Sequence, residues 1–113
     1  MKGKLVLVPF PFDDFLTTKV RPALCLTEPI GSYQHVVIAF VTSQVHRADE
    51  PTDLPIQTTD PDFSLTGLKV DSAIRLHRLV TIPVSLIIRE LGTLSPAQQH
   101  RVTDGLRMLL ALS

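Results

Sequence analysis

The sequence predicts a mostly-β small barrel with one helix at its C-terminal end. Many short apolar segments are separated by proline and turn residues, which is typical of small all-β folds. One long β-branched run lies in the middle of the chain, and an amphipathic segment that begins with helix-start residues lies at its end. Because neither half provides a complete core, residues 1–113 are predicted to form one domain.

The first half of the chain contains three predicted strands. Residues 4–8 form a short apolar strand that is expected to end at a bend, because Pro9 follows it. A polar loop over residues 13–19 leads to a second strand over residues 22–27, where a proline is tolerated at the first position. Residues 35–45 are the longest β-branched run and are predicted to form the central strand.

The second half is less regular until its end. A polar loop from residue 46 to 61 is expected to hold one short strand over residues 54–57. Residues 71–76 alternate weakly and are predicted to be a strand. Residues 81–91 are rich in aliphatic side chains and fit either a strand or a helix.

The last segment has the signature of a helix. Ser95 can cap, Pro96 suits the first helical position and Gln98 completes a capping box. Apolar residues then recur at helical spacing, with charged residues between them. The chain is therefore expected to end in an amphipathic helix that packs on the sheet.

The composition excludes several classes of protein. Hydrophobic residues make up 44 % and charged residues 19 %, which is globular rather than disordered, and the net charge of zero argues against a general DNA-coating protein. The single cysteine, Cys25, has no disulfide partner, and the four histidines lack zinc-site spacing. With no signal-peptide core or membrane span, the chain is expected to be soluble and cytoplasmic. No cofactor is expected.

Two local motifs are candidates for chemistry. Arg21 precedes Pro22, and this proline restricts the backbone of Arg21 to extended geometry. A planar guanidinium held in a defined direction is suited to binding a phosphate. A surface ion pair between Arg21 and Asp13 or Asp14 is the alternative. The second motif is a row of polar residues at the end of the central strand, with Thr42 on one face. Its alternative is ordinary fraying of a strand into a turn.

Taken together, the motifs resemble the MazF/PemK family of toxin–antitoxin endoribonucleases. The residues that carry the resemblance, in order, are Gly3 with Leu5 to Phe12, Lys19 to Leu24, Val41 to Gln44, Gly67-Leu68, Asp71 to Leu76, Leu79 to Ile82 and Leu91 to Ser95. No single motif is specific, but their order and spacing over about 90 residues are.

The resemblance implies an SH3-like barrel that forms a homodimer, is restrained by a cognate antitoxin and contacts DNA only through the antitoxin complex. It implies metal-independent cleavage of single-stranded RNA at short sequences, with the substrate's 2′-hydroxyl as nucleophile and a 2′,3′-cyclic phosphate and a 5′-hydroxyl as products. By the same resemblance Arg21 and Thr42 are the catalytic pair, Ser43 and Gln44 line the RNA groove, and Lys19 borders it.

The sequence departs from the family pattern at several positions. His77 and Arg78 stand where members often carry an acidic residue, so they are candidates for RNA binding, although an exposed strand end is the simpler explanation. His46 lies two residues beyond Gln44 and is a candidate for RNA binding or for acid–base chemistry. Residues 13–18 lack a Glu-Gln pair that some relatives have.

Two alternatives to an RNA-cleaving toxin remain open at this stage. One is a non-enzymatic barrel toxin or binding module, such as a gyrase inhibitor of the CcdB type, because a fold alone does not determine function. The other is a degenerate relative that binds a partner and no longer cleaves. The RNA sequence that is cleaved and the identity of the antitoxin are not predictable from the chain.

Overall fold

A computed structural model describes residues 1–10 and 19–112 of the chain. Within these ranges, one antiparallel sheet has the strand order β4-β5-β3-β2-β1-β6. The elements are β1 (Lys4–Phe10), β2 (Lys19–Cys25), β3 (His35–Thr42), β4 (Asp53–Ile56), β5 (Ser72–Pro83), β6 (Arg89–Thr93) and α1 (Pro96–Leu110). The sheet curls into a half-barrel, and the predicted fold class is confirmed. The predicted polar loop before β2 lies outside the described residues, apart from Lys19.

Strands β1 and β2 both run through prolines that were expected to limit them. β1 continues past Pro9 because β6 pairs with β1 only as far as Leu7, so the missing amide proton of Pro9 lies on a side with no partner. β2 begins three residues before Pro22 rather than at it. The predicted bend at Pro9 and the predicted start at Pro22 were therefore wrong.

Strand β3 is shorter than predicted, and its end shapes the site. It stops at Thr42, whose hydroxyl oxygen accepts a hydrogen bond from the Gln44 amide at 3.0 Å. This side-chain contact turns the backbone away from the ladder, as threonine does in turns. A short 3-10 turn, Val45–Arg47, follows. The polar loop after it holds β4 within one residue of the predicted strand.

Strand β5 is twice as long as the strand predicted over residues 71–76. Ala39 of β3 pairs with Leu79, but the next residue, Phe40, pairs with Arg75. Residues 76–78 therefore have no partner in β3 and form a bulge, which re-aims the strand. The ambiguous segment 81–91 is neither one strand nor one helix: it contains the end of β5, a 3-10 turn (Val84–Leu86) and the first half of β6.

Two apolar clusters pack on the two faces of the sheet. One contains Leu5, Leu24 and Ile74 and is covered by Val102 and Leu106 of α1. The other cluster lies on the opposite face and is formed by Val6, Val8, Ala23, Cys25, Val36 and Ile38. Each strand in the middle of the sheet thus buries alternate residues on both faces.

The C-terminal helix begins as the sequence predicts. The Ser95 hydroxyl accepts a hydrogen bond from the Gln98 amide at 3.1 Å, and the Gln98 side chain accepts one from the Ser95 amide at 2.9 Å. The capping box and the proline at the first turn are confirmed. No helix in the described part of the chain is long and apolar enough to cross a membrane.

Candidate active site

The candidate site lies where β2 and β3 separate. Ala23 pairs with Phe40 in the register of these two strands, and no pairing is formed beyond that point. Extending the register by two residues would place Arg21 opposite Thr42. Pro22, which has no amide proton to donate, lies at the position where the ladder stops. The two predicted catalytic residues therefore lie on facing strand ends, with an opening between them.

A cleft of about 270 Å³ occupies this opening, and we call it the arginine cleft. Its walls are Phe10, Arg21, Phe40, Val41, Thr42, Gln44, Arg47, Arg75 and Arg78. Four of these nine residues are arginines, and none is acidic. A cleft with this lining presents a positive potential and fixed hydrogen-bond donors, which suits a polyanionic ligand.

Arg21 is held over an aromatic pair. Its guanidinium carbon lies 5.8 Å from the centroid of the Phe10 ring, and that ring meets Phe40 edge to face with centroids 4.3 Å apart. A cation over a ring face is attracted to it, so the aromatic pair orients the guanidinium without neutralising its charge. Among the described residues no carboxylate pairs with Arg21. The alternative pairing with Asp13 or Asp14 lies outside them.

Thr42 is oriented by the turn that it makes. Its oxygen accepts from the Gln44 amide, so the hydroxyl proton remains available for a group in the cleft. Both Thr42 and Arg21 are partly exposed rather than sealed in the interior. Gln44, which is exposed, lines the same cleft. The site can therefore offer a cation, a hydroxyl and an amide to one ligand.

The other residues predicted for RNA binding are distributed around this cleft. Arg78 lines it directly. Ser43 and Arg21 line a neighbouring cleft, so Ser43 lies on the other side of the β3 end from Thr42. His77 faces an adjacent apolar cleft. Lys19 and His46 are exposed and line neither the arginine cleft nor the two neighbouring clefts.

The apolar cleft is larger, at about 630 Å³, and shares Phe10, Phe40 and Arg78 with the arginine cleft. The rest of its lining is Val8, Pro9, Ile38, His77, Leu79, Val80, Ile82 and Leu86. The bulge over residues 76–78 lies where the two clefts meet, and Arg78 within it lines both.

Sequence reasoning missed two arginines of the site. Arg47 follows the polar strand end, and Arg75 lies inside a motif that was noted only for the family resemblance. Arg75 also pairs with Asp53, a buried carboxylate on β4, through Nε and Oδ1 at 3.4 Å. No sequence motif by itself identifies either arginine as a site residue.

The thiol of Cys25 and the other side chains that could ligate a metal ion lie outside the arginine cleft. Cys25 is buried in the second core cluster, and burial raises the pKa of its thiol, so it is unreactive at neutral pH. In the described part of the chain no three His, Cys, Asp or Glu side chains are grouped as metal ligands would be.

Comparison with known proteins identifies the family. Residues 1–110 match the family model of the PemK-like, MazF-like toxins of type II toxin–antitoxin systems. No curated protein matches the chain in sequence. The chain therefore belongs to the PemK-like, MazF-like toxin family, as its motifs predicted, and the predicted enzyme class, a MazF-type endoribonuclease, agrees with that membership.

Solved structures show the same fold. The Mycobacterium tuberculosis toxin MazF-mt6 superposes with a TM-score of 0.71 at 23 % identity, over 96 % of this chain and 98 % of that one. A mycobacterial endoribonuclease in complex with its cognate antitoxin gives a TM-score of 0.69 at 16 % identity, over 100 % and 94 %. A second mycobacterial endoribonuclease structure gives 0.68 at 17 %, over 99 % and 91 %.

Proposed function

We propose that this chain is a toxin that cleaves single-stranded RNA at short specific sequences, without a metal ion and with the substrate's own 2′-hydroxyl as nucleophile. The observation that carries the proposal is that Arg21 and Thr42 face one open cleft from the separated ends of β2 and β3. Family membership supports the same conclusion.

The chemistry requires little from the protein beyond charge and orientation. The 2′-oxygen bonds to the adjacent phosphorus while the bond to the 5′-oxygen breaks, which gives a 2′,3′-cyclic phosphate and a 5′-hydroxyl. One proton leaves the 2′-hydroxyl and one is delivered to the departing 5′-oxygen. Negative charge on the phosphate oxygens increases in the transition state, and a preorganised guanidinium stabilises it there. Arg21 fits this role because it stays protonated at neutral pH.

Thr42 and the remaining polar residues supply orientation. The Thr42 hydroxyl, turned by its contact with Gln44, can donate to a second oxygen of the same phosphate. Gln44 and Arg78 lie close enough to this point to read base edges or neighbouring phosphates. Lys19, Ser43, His46 and His77 are proposed to contact the RNA further along its path. Aromatic residues are few, so recognition relies on polar groups more than on stacking.

The proposal is tested by incubating the purified protein with a long single-stranded RNA in EDTA. Wild-type protein is expected to give a limited set of fragments, mapped by primer extension, that end in a 2′,3′-cyclic phosphate. Arg21→Ala is expected to cleave about 10²–10³-fold more slowly, as for loss of one transition-state donor. Arg107→Ala removes an equal charge from α1, outside the arginine cleft, and is the matched control.

Three outcomes contradict the proposal. They are intact RNA after incubation with wild-type protein, equal cleavage by wild type and Arg21→Ala, and fragments that begin with a 5′-phosphate. Toxicity that is accompanied by DNA breaks rather than RNA decay supports the gyrase-inhibitor alternative.

We also propose that the toxin acts in the cytoplasm and is restrained by a cognate antitoxin that covers the arginine cleft. One mycobacterial structural neighbour was solved with its cognate antitoxin. An antitoxin segment rich in acidic residues would complement the four guanidinium groups. A small acidic protein encoded beside this one is expected to co-purify with it and to block RNA cleavage. Binding to DNA is expected only through that complex.

The proposed homodimer has support from the apolar cleft. Leu79, Val80 and Leu86 are 37 %, 41 % and 45 % exposed along one wall of it, and contiguous apolar surface of this kind marks an interface. Val80→Asp is expected to shift the protein from dimer to monomer in sedimentation velocity. A monomeric wild-type protein would contradict the dimer.

A further inference from the structure

Arg75 forms a second cationic centre in the arginine cleft, separate from the Arg21–Thr42 pair. We infer that Arg75, oriented by the buried carboxylate of Asp53, binds a phosphate of the RNA other than the one that is cleaved. This inference rests on the proposed function, because it assigns a further substrate contact to the same cleft. It makes Arg75 a binding residue and Asp53 a positioning residue.

The Asp53–Arg75 pair is built into the sheet. Asp53 on β4 lies directly opposite Arg75 on β5 in the register of the two strands. Arg75 donates from Nε to Oδ1 of Asp53 at 3.4 Å, and the other carboxylate oxygen accepts from the Glu50 amide at 3.0 Å. The Asp53 side chain is 2 % exposed. The carboxylate is therefore held by the Glu50 amide at one oxygen and contacts the arginine with the other.

The contact with Asp53 leaves part of the Arg75 guanidinium for a ligand. Within the described residues its two terminal nitrogens have no hydrogen-bond partner, and the residue lines the arginine cleft. The Arg75 side chain is 19 % exposed, so it is already partly desolvated and ordered. A guanidinium that is held through Nε with free terminal nitrogens suits a phosphate, because it loses little entropy on binding.

The other arginines of the cleft are not held in this way. Arg47 and Arg78 are exposed, and among the described residues neither pairs with a carboxylate. Arg21 is oriented by the Phe10 ring. The cleft therefore contains two oriented guanidinium groups on different strands, Arg21 on β2 and Arg75 on β5. A strand of RNA has a phosphate for each nucleotide, so two fixed cations in one cleft favour two successive or near-successive phosphates.

Two simpler roles for the pair make different predictions. A purely structural salt bridge would affect unfolding and leave the RNA affinity of the folded protein unchanged. A carboxylate that only neutralises Arg75 would weaken RNA binding, so its removal would strengthen it. His77 also lies near this carboxylate, with Nδ1 3.7 Å from Oδ1, and adds to the positive charge around Asp53 only when it is protonated.

The test measures binding separately from cleavage. The probe is a labelled short RNA of randomised sequence with every 2′-hydroxyl methylated, which removes the nucleophile. Its dissociation constant is measured by fluorescence anisotropy over a range of salt concentrations. The proteins are wild type, Arg75→Gln, Asp53→Asn and the double variant, with Arg107→Gln as the control that removes one positive charge from α1. Circular dichroism establishes that each variant is folded.

Arg75→Gln is expected to weaken binding about tenfold, the loss of a charged hydrogen bond. The slope of log affinity against log salt is expected to fall in magnitude by about 0.7, the value for one phosphate contact on a single strand. Asp53→Asn is expected to weaken binding less, and the double variant to bind no worse than Arg75→Gln alone. If Arg75→Gln does not fold, Arg75→Lys is used, with several-fold weaker binding and an unchanged slope expected.

Each of the following results would overturn one part of the inference. An Arg75→Gln variant with the affinity and salt slope of Arg107→Gln overturns the phosphate contact. An Asp53→Asn variant that binds more tightly than wild type overturns the positioning role. Cleavage of unmodified RNA by wild-type protein in EDTA is measured alongside. Absence of that cleavage refutes the proposed function, whereas cleavage with an unchanged Arg75→Gln salt slope refutes only the present inference.

Discussion

The arginine cleft and the junction between residues 63–67 and β6 differ in how much space separates the neighbouring main chains. In the cleft, arginine side chains from several elements line an opening between strands. At the junction, two backbones approach so closely that no side chain fits between them. A Cβ atom on Gly67 would lie 2.0 Å from the Leu91 carbonyl oxygen, and one on Gly92 would lie 2.2 Å from the Leu65 carbonyl oxygen. We call this contact the glycine junction.

From this difference we expect the junction to contribute to stability and the cleft to the proposed activity. The glycine junction lets the segment between β4 and β5 pack against β6, at the far end of the sheet, so it helps the sheet to close on itself. The arginine cleft lies where pairing stops, and of its four arginines only Arg75 pairs with a carboxylate among the described residues. Substitutions at the junction are therefore expected to change unfolding free energy, and substitutions in the cleft to change activity.

The largest expected effect is that of Gly67→Ala. Gly67 has a φ of +71°, and its added Cβ would overlap the Leu91 main chain. The left-handed backbone costs about 1–2 kcal/mol for a non-glycine residue, and overpacking adds a further cost of about 1–3 kcal/mol. We expect a loss of about 2–5 kcal/mol in urea unfolding, a range that follows from these two costs.

Gly31→Ala is the matched control for this substitution. Gly31 has a similar φ of +74°, but an added Cβ would meet nothing within 4 Å. Only the backbone cost of about 1–2 kcal/mol is expected there. Equal losses at Gly31 and Gly67 would show that the close approach at the junction contributes no stability.

Local chemistry explains which parts of the molecule could be predicted from the sequence. The start of α1 was predictable because Ser95, Pro96 and Gln98 act on neighbouring amides. The Arg-Pro motif and the polar strand end were recognisable for the same reason: Pro22 and Thr42 act within their own segments. The register that brings Arg21 near Thr42 was expected only through the family resemblance.

The features that were missed depend on contacts between distant segments. Arg75 meets Asp53 because β4 and β5 pair in one particular register, and the two residues are 22 positions apart. The bulge in β5, where the two clefts meet, arises from the register in which β5 pairs with β3. β1 passes through Pro9 only because β6 ends early beside it. No propensity of the residues themselves contains this information.

The second prediction concerns the cleft side of the comparison. Thr42→Val keeps the shape of the side chain and removes the hydroxyl that is proposed to donate to the phosphate. We expect RNA cleavage to slow about 10- to 100-fold, as for loss of a hydrogen bond to a charged group. Urea unfolding is expected to change far less than in Gly67→Ala, because Thr42 is only partly buried and its contact with the Gln44 amide lies at an exposed turn.

Thr42→Ser is the matched variant, since it keeps the hydroxyl and loses a methyl group. It is expected to retain most of the cleavage activity. If the valine and serine variants cleave at the same rate, the hydroxyl has no part in the reaction. If Thr42→Val instead unfolds as readily as Gly67→Ala, the separation of activity from stability does not hold at this strand end.

The smallest expected effect lies in neither region, at the exposed carboxylate of Asp71. The Thr58 amide donates to this carboxylate at 2.7 Å, and this hydrogen bond lowers the pKa of Asp71 below its ordinary value. A lowered pKa in the folded state stabilises the protein above the unfolded-state pKa, and the contribution disappears as the pH falls through the folded-state pKa. The pH range in which this contribution to stability is lost therefore begins at about pH 4 and extends to lower pH.

Unfolding free energy measured from pH 7 to pH 3 tests this for wild type, Asp71→Asn and the control Asp49→Asn. Asp71→Asn keeps an oxygen that can accept from Thr58 and loses the charge, so it is expected to be slightly less stable than wild type at pH 7. The unfolding free energies of wild type and Asp71→Asn are expected to become equal as Asp71 becomes protonated. Asp49 accepts no hydrogen bond among the described residues, so Asp49→Asn is the control for the loss of one carboxylate charge. A difference between wild type and Asp71→Asn that grows as the pH falls would have the wrong sign. Because Asp71 does not line the arginine cleft, RNA cleavage at neutral pH should be the same for wild type and Asp71→Asn, which makes Asp71 a reference for the cleft and the glycine junction.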